Sequence, residues 1–225
     1  MKHNIVGSSL ILLTLAGFAA SSTVYRLNLG STDLFVNQRG VNPIPEASVE
    51  CSPDVAKWWD QVRDSGLQLL QLSNQLDLAM NEWVKARQAN PSMPEEQYHS
   101  LWEKTVSPIE NAINERSEQF RGLLKEGIEK GYKPPVANAN LNVLYSERPK
   151  YTEEARRHKI EGQVKLRAVF QADGRVTNIE VVKGLGYGLD EQAKEAVSKT
   201  VFLPRIVEGR LDSKATLLVA EFNLK

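Results

Sequence analysis

The chain has little of what reactive centres are built from. Its single cysteine, Cys51, rules out an internal disulfide framework. The three histidines, His3, His99 and His158, share no metal-ligand spacing. Neither an HExxH nor a GxSxG pattern occurs. Lys+Arg and Asp+Glu are both 28, so no global charge attracts nucleic acid or an anionic membrane. These absences identify no catalytic, cofactor-binding or metal-binding set, and composition gives no support for an enzyme.

Long apolar runs are also missing. Lys2 and His3 precede an uncharged stretch, residues 4–25, whose dense part is only Leu10–Phe18. That core is shorter than the ~18 or more apolar residues of a membrane span. Small residues at Ala19, Ala20, Ser21 and Ser22 suit signal peptidase. Residues 1–23 therefore read as a signal peptide or a membrane anchor, with the remainder outside the cytoplasm. A buried helix of a cytosolic protein is the bland alternative. No Leu-x-x-Cys lipobox precedes Cys51.

Patterned sequence begins after a linker, 24–51, that carries Gly30, Gly40, Pro43 and Pro45. Ser52-Pro53 reads as an N-cap followed by a first-turn proline. Val55, Val62, Leu69, Leu76 and Trp83 recur at every seventh position. Trp58, Ser65, Leu72, Ala79 and Ala86 fill the second seam position. This predicts a long amphipathic helix ended by Asn90-Pro91. A second helix restarts at Ser92-Met93-Pro94-Glu95, a capping-box pattern. It carries Trp102, Val106, Ile109, Ile113, Phe120, Leu124 and Ile128, with a break expected at Pro108. Residues 52–131 thus form an all-α helical hairpin or coiled coil. Its stripes either pack on each other as a spacer or, with the tryptophans as anchors, serve as a docking surface or oligomerising coil. A second linker, 132–147, is expected to join two separately folding units.

The C-terminal part is organised around a hairpin. Val164, Leu166, Ala168 and Phe170 alternate with Gln163, Lys165 and Arg167, the period of a strand with one apolar face. Asp173-Gly174 is a turn signal, and a second strand follows through Val176–Val182. A short helical segment, Glu153–Lys159, precedes this hairpin. After it come a helix presenting Leu189, Ala193, Val197 and Thr200, and a last strand with Leu218, Ala220, Phe222 and Leu224 on one side. The fold class is α+β: a three-stranded antiparallel or mixed sheet with a packed helix over 148–225, in strand order 2-1-3, preceded by the all-α hairpin.

Gly184, Gly186 and Gly188 stand where a phosphate loop would, but in GxGxG spacing and with no lysine at the helix start. They fit a sharp turn better. Arg156, Arg157, His158 and Lys159 read as a solvated helix end rather than a nucleic-acid patch.

Pro149, Tyr151, Ala155-Arg156, Gly162-Gln163-Val164, Asp173-Gly174, Gly188-Leu189-Asp190, Ala196-Val197, Phe202-Leu203-Pro204, Gly209 and Phe222 occur in an order and spacing that carry a resemblance. On these residues, Arg148 to Lys225 resembles the C-terminal domain of the TonB family, the periplasmic energy transducers of Gram-negative bacteria. The resemblance implies an inner-membrane anchor, a spacer, and a terminal domain that grasps an extended peptide of an outer-membrane transporter. Three departures stand out. Tyr151-Thr152 replaces the family's Tyr-Pro, and a helical hairpin replaces the Pro-rich spacer. Ser8 and Ser9 have no following histidine to couple with inner-membrane motor proteins, the other partners the family implies.

The last strand is expected to be an open edge that binds the peptide by strand addition. Leu217, Val219 and Glu221 lie on its accessible side, and Tyr151, matching the family's Tyr-Pro position, flanks it. The competing occupants of that edge are residues 136–145 and a second copy of the domain. The competing function is a structural envelope adapter whose helical hairpin carries the partner contacts.

Overall fold

The computed structural model describes residues 44–224; the expected signal peptide or anchor, and most of the first linker, lie outside the described residues. Three helices come first: α1 (Pro53–Ala89), α2 (Glu95–Thr105) and α3 (Ser107–Glu129). At 37 residues, α1 is about 55 Å long. Pro53 opens it behind Ser52, as the sequence predicts, although the Ser52 side chain makes no capping hydrogen bond. The break between α2 and α3 falls at Val106, two residues before Pro108, whose ring cannot accept a continuous helix on its N-terminal side. The expected capping box does not form: Pro94 occupies the cap of α2, and no side chain bonds there.

Val62, Leu69 and Leu76 of α1 and Ile113, Phe120 and Leu124 of α3 are buried in one cluster. The α3 stripe departs from expectation at its end, where Ile128 is 45% exposed. Gly127 faces inward instead, because the indole of Trp58 lies against it and leaves no room for a β-carbon. The Trp58 Nε1 donates to the Leu123 carbonyl at 2.8 Å, which fixes the ring over α3. Trp59 donates to the Pro45 carbonyl (3.1 Å) and Trp83 to the Tyr98 carbonyl (3.2 Å), while Trp102 meets Trp83 edge-on at 5.2 Å. The tryptophans act as staples, three within the helical unit and Trp59 to the segment before it.

The remaining elements are β1 (Asn142–Tyr145), α4 (Glu153–Arg157), β2 (Gly162–Phe170), β3 (Val176–Lys183), α5 (Leu189–Ser198), β4 (Val201–Leu203), β5 (Arg205–Val207), β6 (Arg210–Asp212) and β7 (Lys214–Phe222). The main sheet has the order β3-β2-β7 and is antiparallel throughout. Its apolar face (Val164, Leu166, Ala168, Phe170, Leu218, Ala220 and Phe222) packs with Leu189, Ala193 and Val197 of α5. This confirms the α+β class and the strand order.

The expected linkers differ in part. Within 132–147 the chain forms β1, paired antiparallel with β4. Alternate residues of this ribbon enter different cores. Val143 and Phe202 join the core beneath the main sheet, whereas Leu144, Val201 and Leu203 join the core of the helices. At the end of 24–51, Ile44 is buried against Gly66, Phe120 and Leu144, and Ser48 and Val49 both donate to the Pro135 carbonyl.

Charged contacts reinforce this seam. Glu147 accepts from Lys199 beyond α5 at 3.0 Å, and Arg148 next to it donates to Asp77 of α1 at 2.8 Å. Partly exposed pairs of this kind contribute up to ~1 kcal/mol. Each buried Leu, Val or Ile contributes ~1.5–3 kcal/mol, so the ribbon's apolar contacts dominate. A fragment of residues 145–225 uncovers Val201, Leu203 and Ile206 and is expected to unfold at clearly lower urea concentration than residues 44–225. Equal midpoints would show that the helices add nothing to its core. Burial raises the pKa of Glu110 in this seam, Lys150 opposes the shift, and Glu147 adds to it. A raised folded-state pKa means that stability is lost as pH rises through it. Glu110→Gln is therefore expected to be more stable than wild type near neutrality, with the difference vanishing below the ordinary carboxylate range. Thermal melts across that pH span give the sign.

Candidate functional site: the open edge of the sheet

The two edges of the main sheet are built differently. β3 meets β2 with two register shifts, at Lys165/Leu166 and Arg167/Val169, and Asn178 in β3 has a left-handed φ of 50°. Such bulges break the row of backbone groups that another strand would need. β7 pairs with β2 without a shift from Gly162↔Phe222 to Phe170↔Lys214. No backbone hydrogen bond from the described residues reaches the other side of β7. Residues 136–145, one expected occupant, are engaged elsewhere: β1 pairs with β4, and Ala139 bridges Ile206.

Side chains hold the ends of β7 without covering its edge. Before the strand, Ser213 Oγ accepts from the Ala172 amide (3.0 Å) and donates to Gln171 Oε1 (3.0 Å). Beyond it, the Leu224 amide donates to Glu161 Oε1 at 2.6 Å. Neither tie was signalled by periodicity, since each joins loop residues far apart in the chain.

The four residues singled out from sequence fall on two faces. Leu217 (46% exposed), Val219 and Glu221 lie on the solvent face, opposite buried Leu218, Ala220 and Phe222. Tyr151 sits on the core side, its ring edge-on to Phe222 at 5.5 Å. Its hydroxyl donates to the Ile160 carbonyl at 2.7 Å, and the Arg156 guanidinium lies 5.5 Å over the ring. Burial pushes the phenol pKa up, with Glu161 adding to the effect. The structure thus brings Tyr151 to the end of the strand and fixes it there.

Thr152 has a structural role of its own. Its hydroxyl accepts from the Ala155 amide (3.1 Å), capping α4, and donates to the Tyr187 carbonyl (2.6 Å) in the glycine loop. The nest of that loop is filled from within: Asp190 accepts from the Leu185 and Gly186 amides at 2.8 and 3.3 Å. A carboxylate already occupies the place a phosphate would take. Among the described residues, no group of three or more His, Cys, Asp or Glu could hold a metal ion.

The geometry defines a two-layer α+β domain with one bulged edge and one regular, open edge. Residues 147–224 match the family described as the Gram-negative bacterial TonB protein C-terminal, and are a TonB C-terminal domain. Among solved structures, the chain is similar to the TonB C-terminal domain of Helicobacter pylori determined by NMR in solution. The identity is 28%, over 34% of this chain and 70% of that one, with a TM-score of 0.28. A search of curated proteins found no match. A domain of this family implies a role in TonB-dependent transport in the cell envelope; domains of the type are known as non-catalytic energy transducers and generally interact with outer-membrane transporters. Among the described residues, no helix is long and apolar enough to cross a membrane.

Replacing Thr152 with Ala removes the cap of α4 and the tie to Tyr187. The expected loss is ~0.5–2 kcal/mol of stability in urea denaturation. No loss would mean that the Thr-for-Pro departure has no structural consequence.

Proposed function

We propose that this chain is a non-catalytic periplasmic component of TonB-type transport across the outer membrane. Its C-terminal domain binds an extended peptide of an outer-membrane transporter by adding it as a strand to β7. The observation that carries this reading is the contrast between the edges: β7 is regular over its whole length and open, while β3 is bulged twice. Backbone groups along β7 supply affinity, and Leu217, Val219 and Glu221 supply contacts on the solvent face. Tyr151 supports the end of the strand through Phe222. The N-terminal segment exports the chain, which is then either free after signal cleavage or anchored in the inner membrane by residues 4–25. An adapter function for the helical hairpin loses support from the tryptophans, whose indoles are engaged within the helices or, for Trp59, with Pro45 before them.

Amide hydrogen exchange of the full chain, with and without peptides from the N-termini of outer-membrane receptors, tests this. Added strand pairing is expected to slow exchange at alternate amides of β7 and leave β3 unchanged. Protection confined to β3 would overturn the edge assignment. Protection confined to α1–α3 would replace it with the adapter reading.

A further inference from the structure

The solvent face of the main sheet carries a charge arrangement that the fold does not require. Strand register places Val219, Lys165 and Lys183 in one row across β7, β2 and β3, and Leu217, Arg167 and Glu180 in the next. Lys165 and Lys183 are therefore cross-strand neighbours of like charge, which destabilises a sheet. Lys165, Arg167 and Lys183 are exposed, and none makes an ion pair among the described residues. Even Glu180, in register with Arg167, does not bridge to it. Local rules broken without compensation in the folded chain point to a surface built for something else.

We propose that Lys165 and Arg167 of β2 read acidic side chains on the peptide that pairs with β7, with Lys183 on β3 adding positive charge behind them. This rests on the edge-binding reading above and names the chemistry of the peptide. A strand added to β7 has its axis two strand spacings from β2, about 9.6 Å. An arginine or lysine leaning over Val219 or Leu217 and a glutamate leaning back from the peptide together cover that gap. The ligand is an extended segment with acidic residues on the solvent side opposite Leu217 and Val219 and an uncharged residue opposite Glu221, where a like charge would repel. Exposed pairs are individually weak, so the selectivity comes from the two acting together.

The test uses the full chain and two synthetic peptides of equal length and strand propensity, one with glutamate and one with glutamine at alternate positions. Fluorescence anisotropy is expected to show the glutamate peptide binding about tenfold more tightly, the sum of the two exposed pairs. Added salt should erase the difference. The variant Lys165→Gln, Arg167→Gln, Lys183→Gln should bind both peptides equally, and the glutamine peptide as well as wild type does. Lys183→Gln alone should raise Tm by relieving the like-charge pair and weaken the glutamate peptide less than Lys165→Gln does, since β3 lies one strand farther from the peptide. If wild type binds the glutamine peptide and the glutamate peptide no better, the charge-reading inference is overturned and the edge reading survives. If neither peptide binds, the edge reading falls and takes this inference with it.

Discussion

The β1–β4 ribbon is buried on both faces, and the rest of the molecule is arranged around it. Phe202 turns toward the sheet, where it meets Phe170 edge-on at 4.7 Å. Val201 and Leu203 turn toward the helices. Neither half can be withdrawn without exposing one face of the ribbon to water, which ties the helical unit and the TonB domain into one packed body. The β2–β3 turn adds a further contact: Gly174 lies against Leu124, and Arg121 Nε donates to the Gly174 carbonyl at 3.4 Å. With no side chain, this glycine meets both the left-handed turn and the close approach of α3.

The parts of the fold visible in the sequence share a periodicity. Val164 to Phe170 alternate as one-sided strands do, and Val62, Leu69 and Leu76 recur as a helix seam does. The ribbon has neither signature. A strand buried on both faces shows as a short apolar run, and Leu141, Val143-Leu144 and Val201-Phe202-Leu203 are too brief to separate from loop by period alone. Asn142 within the first run makes the segment look still more polar. Ile44 and Pro45 gave no signal either, because their burial depends on Gly66 and Trp59, which are distant in sequence. Gly127 is the complementary case: an unremarkable glycine in a helix, explained only once Trp58 is seen against it.

The candidate site was legible in outline. Alternation along Lys214–Phe222 was enough to place Leu217, Val219 and Glu221 opposite the core, and strand order was enough to put them at an edge. The feature that distinguishes that edge from the other was not legible. Bulges in β3 arise from register, which depends on how Val182 and Asn178 are accommodated between fixed neighbours. Tyr151 was assigned to the flank of the strand by resemblance, but Phe222 and the Ile160 carbonyl hold it on the core side.

A packed helical unit changes what the terminal domain presents. A Pro-rich spacer would leave the sheet free to reorient around its attachment. Here the β2–β3 turn, the ribbon and the segment after Tyr145 are each held by α1 or α3, so the orientation of the sheet is set by the helices. β7 makes no such tie: beyond its pairing with β2, side chains hold it at its ends, through Ser213 and Glu161. Its open edge is thus held straight by β2 while remaining clear of the described helices. That division follows from packing: helices that covered β7 as well would block its edge and leave the sheet no regular strand to offer a partner.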